Sequence, residues 1–98
     1  MMRSGMTLQK LHQMGQGRYQ LIDIRTPAEF SSGHAKGAIN IPYDLLIMYP
    51  ETYLKKDGNY YLICSHGSLS HRASHILKSY GYQVNSIENG YELRYCYC

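Results

Sequence analysis

The sequence predicts a single small α/β domain, with a parallel sheet of four to five strands and helices on both faces. Three observations carry that expectation. Short apolar runs alternate with helix-compatible stretches along the chain, which implies parallel pairing through helical crossovers. A length of 98 residues is near the size at which one core holds together unaided. A hydrophobic fraction of 44% against 17% charged fits a globular chain rather than a disordered one.

The elements follow in order. Thr7 can cap a short helix with Leu8, Leu11 and Met14 on one face, ended by Gly15 and Gly17. Tyr19 to Ile24 is a mostly apolar run that reads as a buried strand. Thr26, Pro27 and Glu29 then form a reciprocal capping arrangement for a short helix stopped by Gly33. Ala38 to Ile41 is a brief strand closed by Pro42, and Tyr43 to Leu54 holds two helical pieces divided at Pro50. Asp57-Gly58 is a turn signal, and Tyr60 to Ile63 is the clearest strand. Ser65 to Leu69 reads as a polar loop, with Ser70 capping a helix that buries Ala73, Ile76, Leu77 and Tyr80. Gly81 ends that helix, Gln83 to Ser86 is a last short strand, and Gly90 precedes a final half-turn or helix.

Composition excludes several classes. A net charge of +3 is too mild and scattered for a nucleic-acid footprint, though it suits small anions. The apolar stretch Leu45 to Tyr49 is far too short to span a bilayer, and the first residues carry no secretory signal. Three cysteines, Cys64, Cys96 and Cys98, do not build a disulfide framework, so a reducing, cytoplasmic setting is expected. Tyrosine, used 11 times against one Phe and no Trp, buries a ring while keeping its hydroxyl wet, as a thin core needs.

The chemistry concentrates at Cys64. It ends a buried strand and a helix follows closely, the strand-to-helix turn at which open α/β sheets bind ligands. A loop of small residues there, Ser65, Gly67 and Ser68 among them, can turn successive N–H groups inward, and the helix adds its positive end. Gly67 permits the backbone angle such a nest requires. A sulfur anion at its centre is stabilised, which suits a nucleophile. A Cys at a strand end is often only buried and inert. Here the glycine-bearing loop and the helix behind it favour the nucleophile.

The run Leu21-Ile22-Asp23-Ile24-Arg25, then Glu29-Phe30, then Gly33-His34-Ala35-Lys36-Gly37-Ala38-Ile39-Asn40-Ile41-Pro42 resembles the first signature of the rhodanese homology domain. Cys64-Ser65-His66-Gly67-Ser68-Leu69-Ser70 is similar to its active-site loop, in the form of the bacterial single-domain thiosulfate sulfurtransferases. The resemblance covers about residues 19–90, with 1–18 as an N-terminal helical segment and 91–98 as a tail of one domain over 1–98. It implies sulfur transfer through a persulfide on Cys64, with Ser65, His66, Gly67, Ser68, Leu69, Ser70 and Arg72 as the substrate-binding set. No metal or organic cofactor is implied. The implied partners are a small anionic sulfur donor such as thiosulfate and a thiol acceptor, including a thioredoxin-like or sulfur-carrier protein. Many family members carry Arg where Leu69 stands, so a cation is missing at the expected rim, with Arg72, His66 or His71 as partial substitutes. The closing motif departs too: Asn89-Gly90-Tyr91-Glu92-Leu93-Arg94 lacks the family's Trp.

Other residues receive structural readings. Asp23 and Arg25 point to one side of a strand end; their pairing with each other, or that of Arg25 with Glu29, locks the turn, a reading favoured over a place for Arg25 beside the donor anion. His34 reads as a turn histidine bonded to backbone, and His71 and His75 as exposed helix-face residues without a third metal ligand. Cys96 and Cys98 read as a frayed end. A phosphatase or arsenate reductase would need Arg six positions after the Cys, where Ser70 stands. The remaining alternatives are a non-catalytic binding or regulatory module and a persulfide carrier serving a partner protein.

Overall fold

A computed structural model describes residues 6–15 and 17–91. Four strands, β1 Gln20–Asp23, β2 Ala38–Asn40, β3 Tyr60–Ile63 and β4 Val84–Ser86, pair in parallel in the order β2-β1-β3-β4. In register, Ile22 lies beside Leu62 and Asp23 beside Ile63, so both central strands end at one edge. Met6 pairs with Ile87 just beyond β4, a single-residue addition to the sheet. The helices are α1 Leu8–Gln13, α2 Pro27–Ser31, α3 Tyr43–Met48, α4 Pro50–Tyr53 and α5 Ser68–Ser79. The expected α/β class, strand order of appearance and division at Pro50 are all present.

Alternation along the strands makes two cores. Ile22, Ile24, Leu62 and Cys64 pack on one face with Leu46 of α3, Leu54 just after α4, and Ala73 and Leu77 of α5. Leu21, Tyr61 and Ile63 face the other way, against Leu8 and Leu11 of α1, Ala35, Ile87 and Tyr91. Caps form as the sequence dictates. Thr7 Oγ1 accepts from the Lys10 N–H at 3.1 Å. Thr26 and Glu29 complete the capping box, with Pro27 as the first helical residue.

Three sequence readings are corrected. Met14 and Tyr80 are exposed rather than part of their helices' buried faces. The buried stripe of α5 is Ser70, Ala73, Ser74 and Leu77, the expected spacing set one turn earlier. The reason is the third correction. The helix begins at Ser68, so Ser70 lies in its first turn instead of capping it, and the loop shortens to residues 65–67. Gly67, at φ +93°, makes the turn into the helix.

Leu62 is fully buried at the centre of the sheet, between α3 and α5. Leu62→Ala is expected to lower the unfolding free energy by about 2–5 kcal/mol, read as a lowered midpoint in urea.

Candidate active site

The side chain of Cys64 leaves the end of β3 toward α5 and is buried. Its sulfur accepts two backbone hydrogen bonds, from the Gly67 N–H at 3.2 Å and the Ser70 N–H at 3.3 Å. The Ser70 amide is one of the first-turn donors that a helix leaves without an internal partner. The Cys64 sulfur therefore does for α5 what a capping oxygen does for other helices, which explains why no serine side chain caps it. The thiol also donates to Ser70 Oγ at 3.4 Å, and that hydroxyl donates onward to the Gly67 carbonyl at 3.1 Å. Once the thiol has lost its proton, rotation of the hydroxyl offers the sulfur a third donor. The positive end of the 12-residue α5 points at the same atom.

The loop is held from behind by the turn at residues 88–91. The Tyr91 N–H donates to the carbonyls of Cys64 (3.0 Å) and Ser65 (3.1 Å). Gly90 lies so close that a Cβ there would collide with the Cys64 carbonyl, and one on Gly67 would meet the Asn89 nitrogen at 2.9 Å. With both faces of this contact crowded, the loop has one available path. Gly90 and Tyr91 are the supporting residues that sequence reasoning missed. The glycine pair flanking the contact, Gly67 and Gly90, was the readable signal.

Tyr91 also reaches sideways. Its hydroxyl donates to Asp23 Oδ2 at 3.1 Å and accepts from the Ala35 N–H at 2.8 Å. Asp23 is fully buried and forms a two-point pair with Arg25, Nε to Oδ1 at 3.0 Å and Nη2 to Oδ2 at 2.8 Å. The same Nη2 donates to the Gly33 carbonyl at 2.8 Å, and the guanidinium carbon stands 4.3 Å from the Tyr91 ring centroid. Burial works to lower the pKa of Arg25, but hydrogen bonding and attraction from Asp23 outweigh it and the net direction is upward. Burial pushes the Tyr91 phenol well above its ordinary value; the Ala35 N–H opposes this and Asp23 adds to it. The Asp23–Arg25 pair thus takes the structural reading, and Glu29 serves the cap of α2 through Thr26.

A cleft of about 430 Å³ opens over Cys64. Ser65, His66, Ser68 and Leu69 line it together with Arg25 and Glu29. Gly67 and Ser70 contribute amides beneath. Arg72 is exposed on α5 and is not part of the lining, so it does not replace the rim cation that Leu69 lacks. His34 bonds the Phe30 carbonyl at 2.9 Å and stacks on the Phe30 ring, as a turn residue should. His71 and His75 are exposed with their rings edge to face. Cys96, Cys98 and the tail from residue 92 lie outside the described residues. Among the described residues no group of three or more His, Cys, Asp or Glu could hold a metal ion. No helix among them is long and apolar enough to cross a membrane.

A buried cysteine at the end of a central parallel strand, with the Gly67 and Ser70 amides converging on its sulfur, places the site at the strand-to-helix turn of a parallel α/β domain. The chain belongs to the rhodanese-like domain family, whose profile matches residues 7–93. It is 34% identical over 79 residues to the uncharacterized protein YqhL of Bacillus subtilis, covering 80% of this chain and 62% of that protein. It is 30% identical over 91 residues to the chloroplastic rhodanese-like domain-containing protein 15 of Arabidopsis thaliana, covering 81% and 50%. The chain therefore spans between half and about five-eighths of the length of these curated relatives. A solved structure from Staphylococcus saprophyticus superposes with a TM-score of 0.80 at 25% identity, over 92% of this chain and 91% of that one.

The Tyr91 hydroxyl bridges two buried partners, so Tyr91→Phe should cost about 1–3 kcal/mol at neutral pH. The raised phenol holds its proton in the native state after the unfolded chain has released it. Its stabilisation is complete below about pH 10 and fades as pH climbs above that value. Denaturant titrations of both proteins should show the gap between them narrowing above pH 10. A gap that stays constant or widens there contradicts the assignment.

Proposed function

We propose that this domain is a sulfurtransferase that carries sulfane sulfur as a persulfide on Cys64. Membership of the family supports a sulfurtransferase-type or rhodanese-domain role. The observation that carries the finer reading is the convergence of the Gly67 and Ser70 amides on Cys64 Sγ beneath an open cleft.

The arrangement suits two successive displacements. In the first, the Cys64 thiolate attacks the outer sulfur of the donor. A new S–S bond forms at Cys64, the donor's own bond to that sulfur breaks, and the leaving group departs with the electron pair. With thiosulfate as donor, that leaving group is sulfite. In the second, an acceptor thiolate attacks the outer sulfur of the persulfide, and the Cys64 thiolate is regenerated. Sulfur is neither oxidised nor reduced overall, and no metal or organic cofactor enters either step. Negative charge sits at or beside the cradle throughout, and preorganised amides stabilise it without reorganisation. The acceptor is a small thiol or the cysteine of a thioredoxin-like or sulfur-carrier protein, in a reducing, cytoplasmic compartment. Serving a partner as a persulfide carrier is the same chemistry with a protein donor.

A non-catalytic binding module is the second reading, and Leu69 at the rim is the observation that favours it. The two readings part on one experiment. Incubation with a sulfane donor should add a single sulfur by intact mass, removable by cyanide, and Cys64→Ser should abolish the adduct while leaving the fold intact. An adduct that survives in Cys64→Ser contradicts the assignment of the nucleophile. An unmodified wild-type protein supports the binding module.

A further inference from the structure

Resting on the sulfur-transfer reading, we propose that the Cys64 cleft selects an organic sulfane donor of at most one negative charge over the thiosulfate dianion. Glu29 and Asp44 are the residues that set this preference.

Two carboxylates, Glu29 and Asp44, line the cleft that opens over Cys64. Among the described residues the one guanidinium in the lining is Arg25. It is paired to the buried Asp23 carboxylate at 2.8 Å and to the Gly33 carbonyl, and only 11% of its side chain is exposed. Arg72 stands outside the lining. His66 and the Tyr43 phenol are the other titratable side chains in the lining besides Cys64 itself. Where a cation would complete a site for a dianion, Leu69 contributes an apolar side chain that is 36% exposed. A dianion approaching the Cys64 thiolate thus meets like charge at the rim and again at the nucleophile. Because both carboxylates are exposed, this repulsion weakens as salt is added, with a Debye length of about 10 Å at 0.1 M.

Shape points the same way. A small tetrahedral anion fills little of a cleft of about 430 Å³. Leu69, Pro42 and Tyr43 give it an apolar wall next to the sulfur, suited to the carbon body of a donor. For an organic persulfide, the thiolate attacks the outer sulfur, the donor's S–S bond breaks, and the organic thiolate leaves with the electron pair. For a thiosulfonate the leaving group is the sulfinate. Neither case needs an oxidant or a reductant.

Benzenethiosulfonate is a direct probe. It offers a transferable sulfane sulfur like that of thiosulfate, with one negative charge fewer and an apolar ring. The measurement is the rate of sulfur loading on Cys64, followed by intact mass without acceptor, for each donor at low salt. Benzenethiosulfonate should load at least about tenfold faster, since rim charge acts chiefly on the approach of the donor. In the double variant Glu29→Gln and Asp44→Asn, the ratio of thiosulfate to benzenethiosulfonate rates should rise at least about fivefold, and added salt should move it less than in the wild type. A glutamine side chain also serves in a capping box, so α2 keeps its start in Glu29→Gln. Leu69→Arg, which leaves both carboxylates in place, should raise the same ratio. If the ratio is unmoved in the double variant, or if thiosulfate loads the wild type faster, the donor assignment is overturned while sulfur transfer stands. If neither donor loads Cys64, the sulfur-transfer reading falls and this inference falls with it.

Discussion

The buried carboxylate of Asp23 is the constraint on which the rest of this structure depends. A charge without solvent must be paired and hydrogen-bonded, or the fold loses several kcal/mol. Its partners come from separate parts of the chain: Arg25 at the end of β1 and Tyr91 in the closing turn. Satisfying the carboxylate therefore draws the closing turn onto the sheet edge. The Tyr91 backbone then holds the carbonyls of Cys64 and Ser65. That contact fixes the start of the loop, and further along it the Gly67 and Ser70 N–H groups converge on the sulfur of Cys64. The path from Asp23 to the cradle passes through one tyrosine.

The same arrangement gives the Cys64 sulfur a structural task. The Cys64 sulfur satisfies a first-turn amide of α5, a task commonly given to Ser, Thr, Asp or Asn oxygen.

Much of the fold was legible because its signals are local. The Thr26-Pro27-Glu29 cap, the break at Pro50 and the apolar runs of β1 and β3 depend on near neighbours, and each stands where it was expected. Cys64 and Gly67 were legible for the same reason, as a strand end and a flexible loop. The start of α5 was not, because the group that caps it is a sulfur that arrives through the turn of the loop rather than a capping side chain in sequence. Tyr91 was missed because its roles are set by contacts across the fold, to residues 56 and 68 positions away. Arg72 was read from sequence proximity, and in the structure it stands exposed on α5, outside the cleft lining. Tyr80 failed because a stripe read from the wrong starting residue predicts one turn too far.

The central claim is that the Gly67 and Ser70 amides hold the sulfur that Cys64 carries. Amide spectra of the isotopically labelled protein, recorded before and after loading with a sulfane donor, test it most directly when intact mass verifies the added sulfur. The account predicts large proton shifts at Gly67 and Ser70, with amides at the far end of the sheet near Tyr60 and Val84 unmoved. A protein that carries the extra sulfur on Cys64 while the Gly67 and Ser70 amides stay where they were would contradict it.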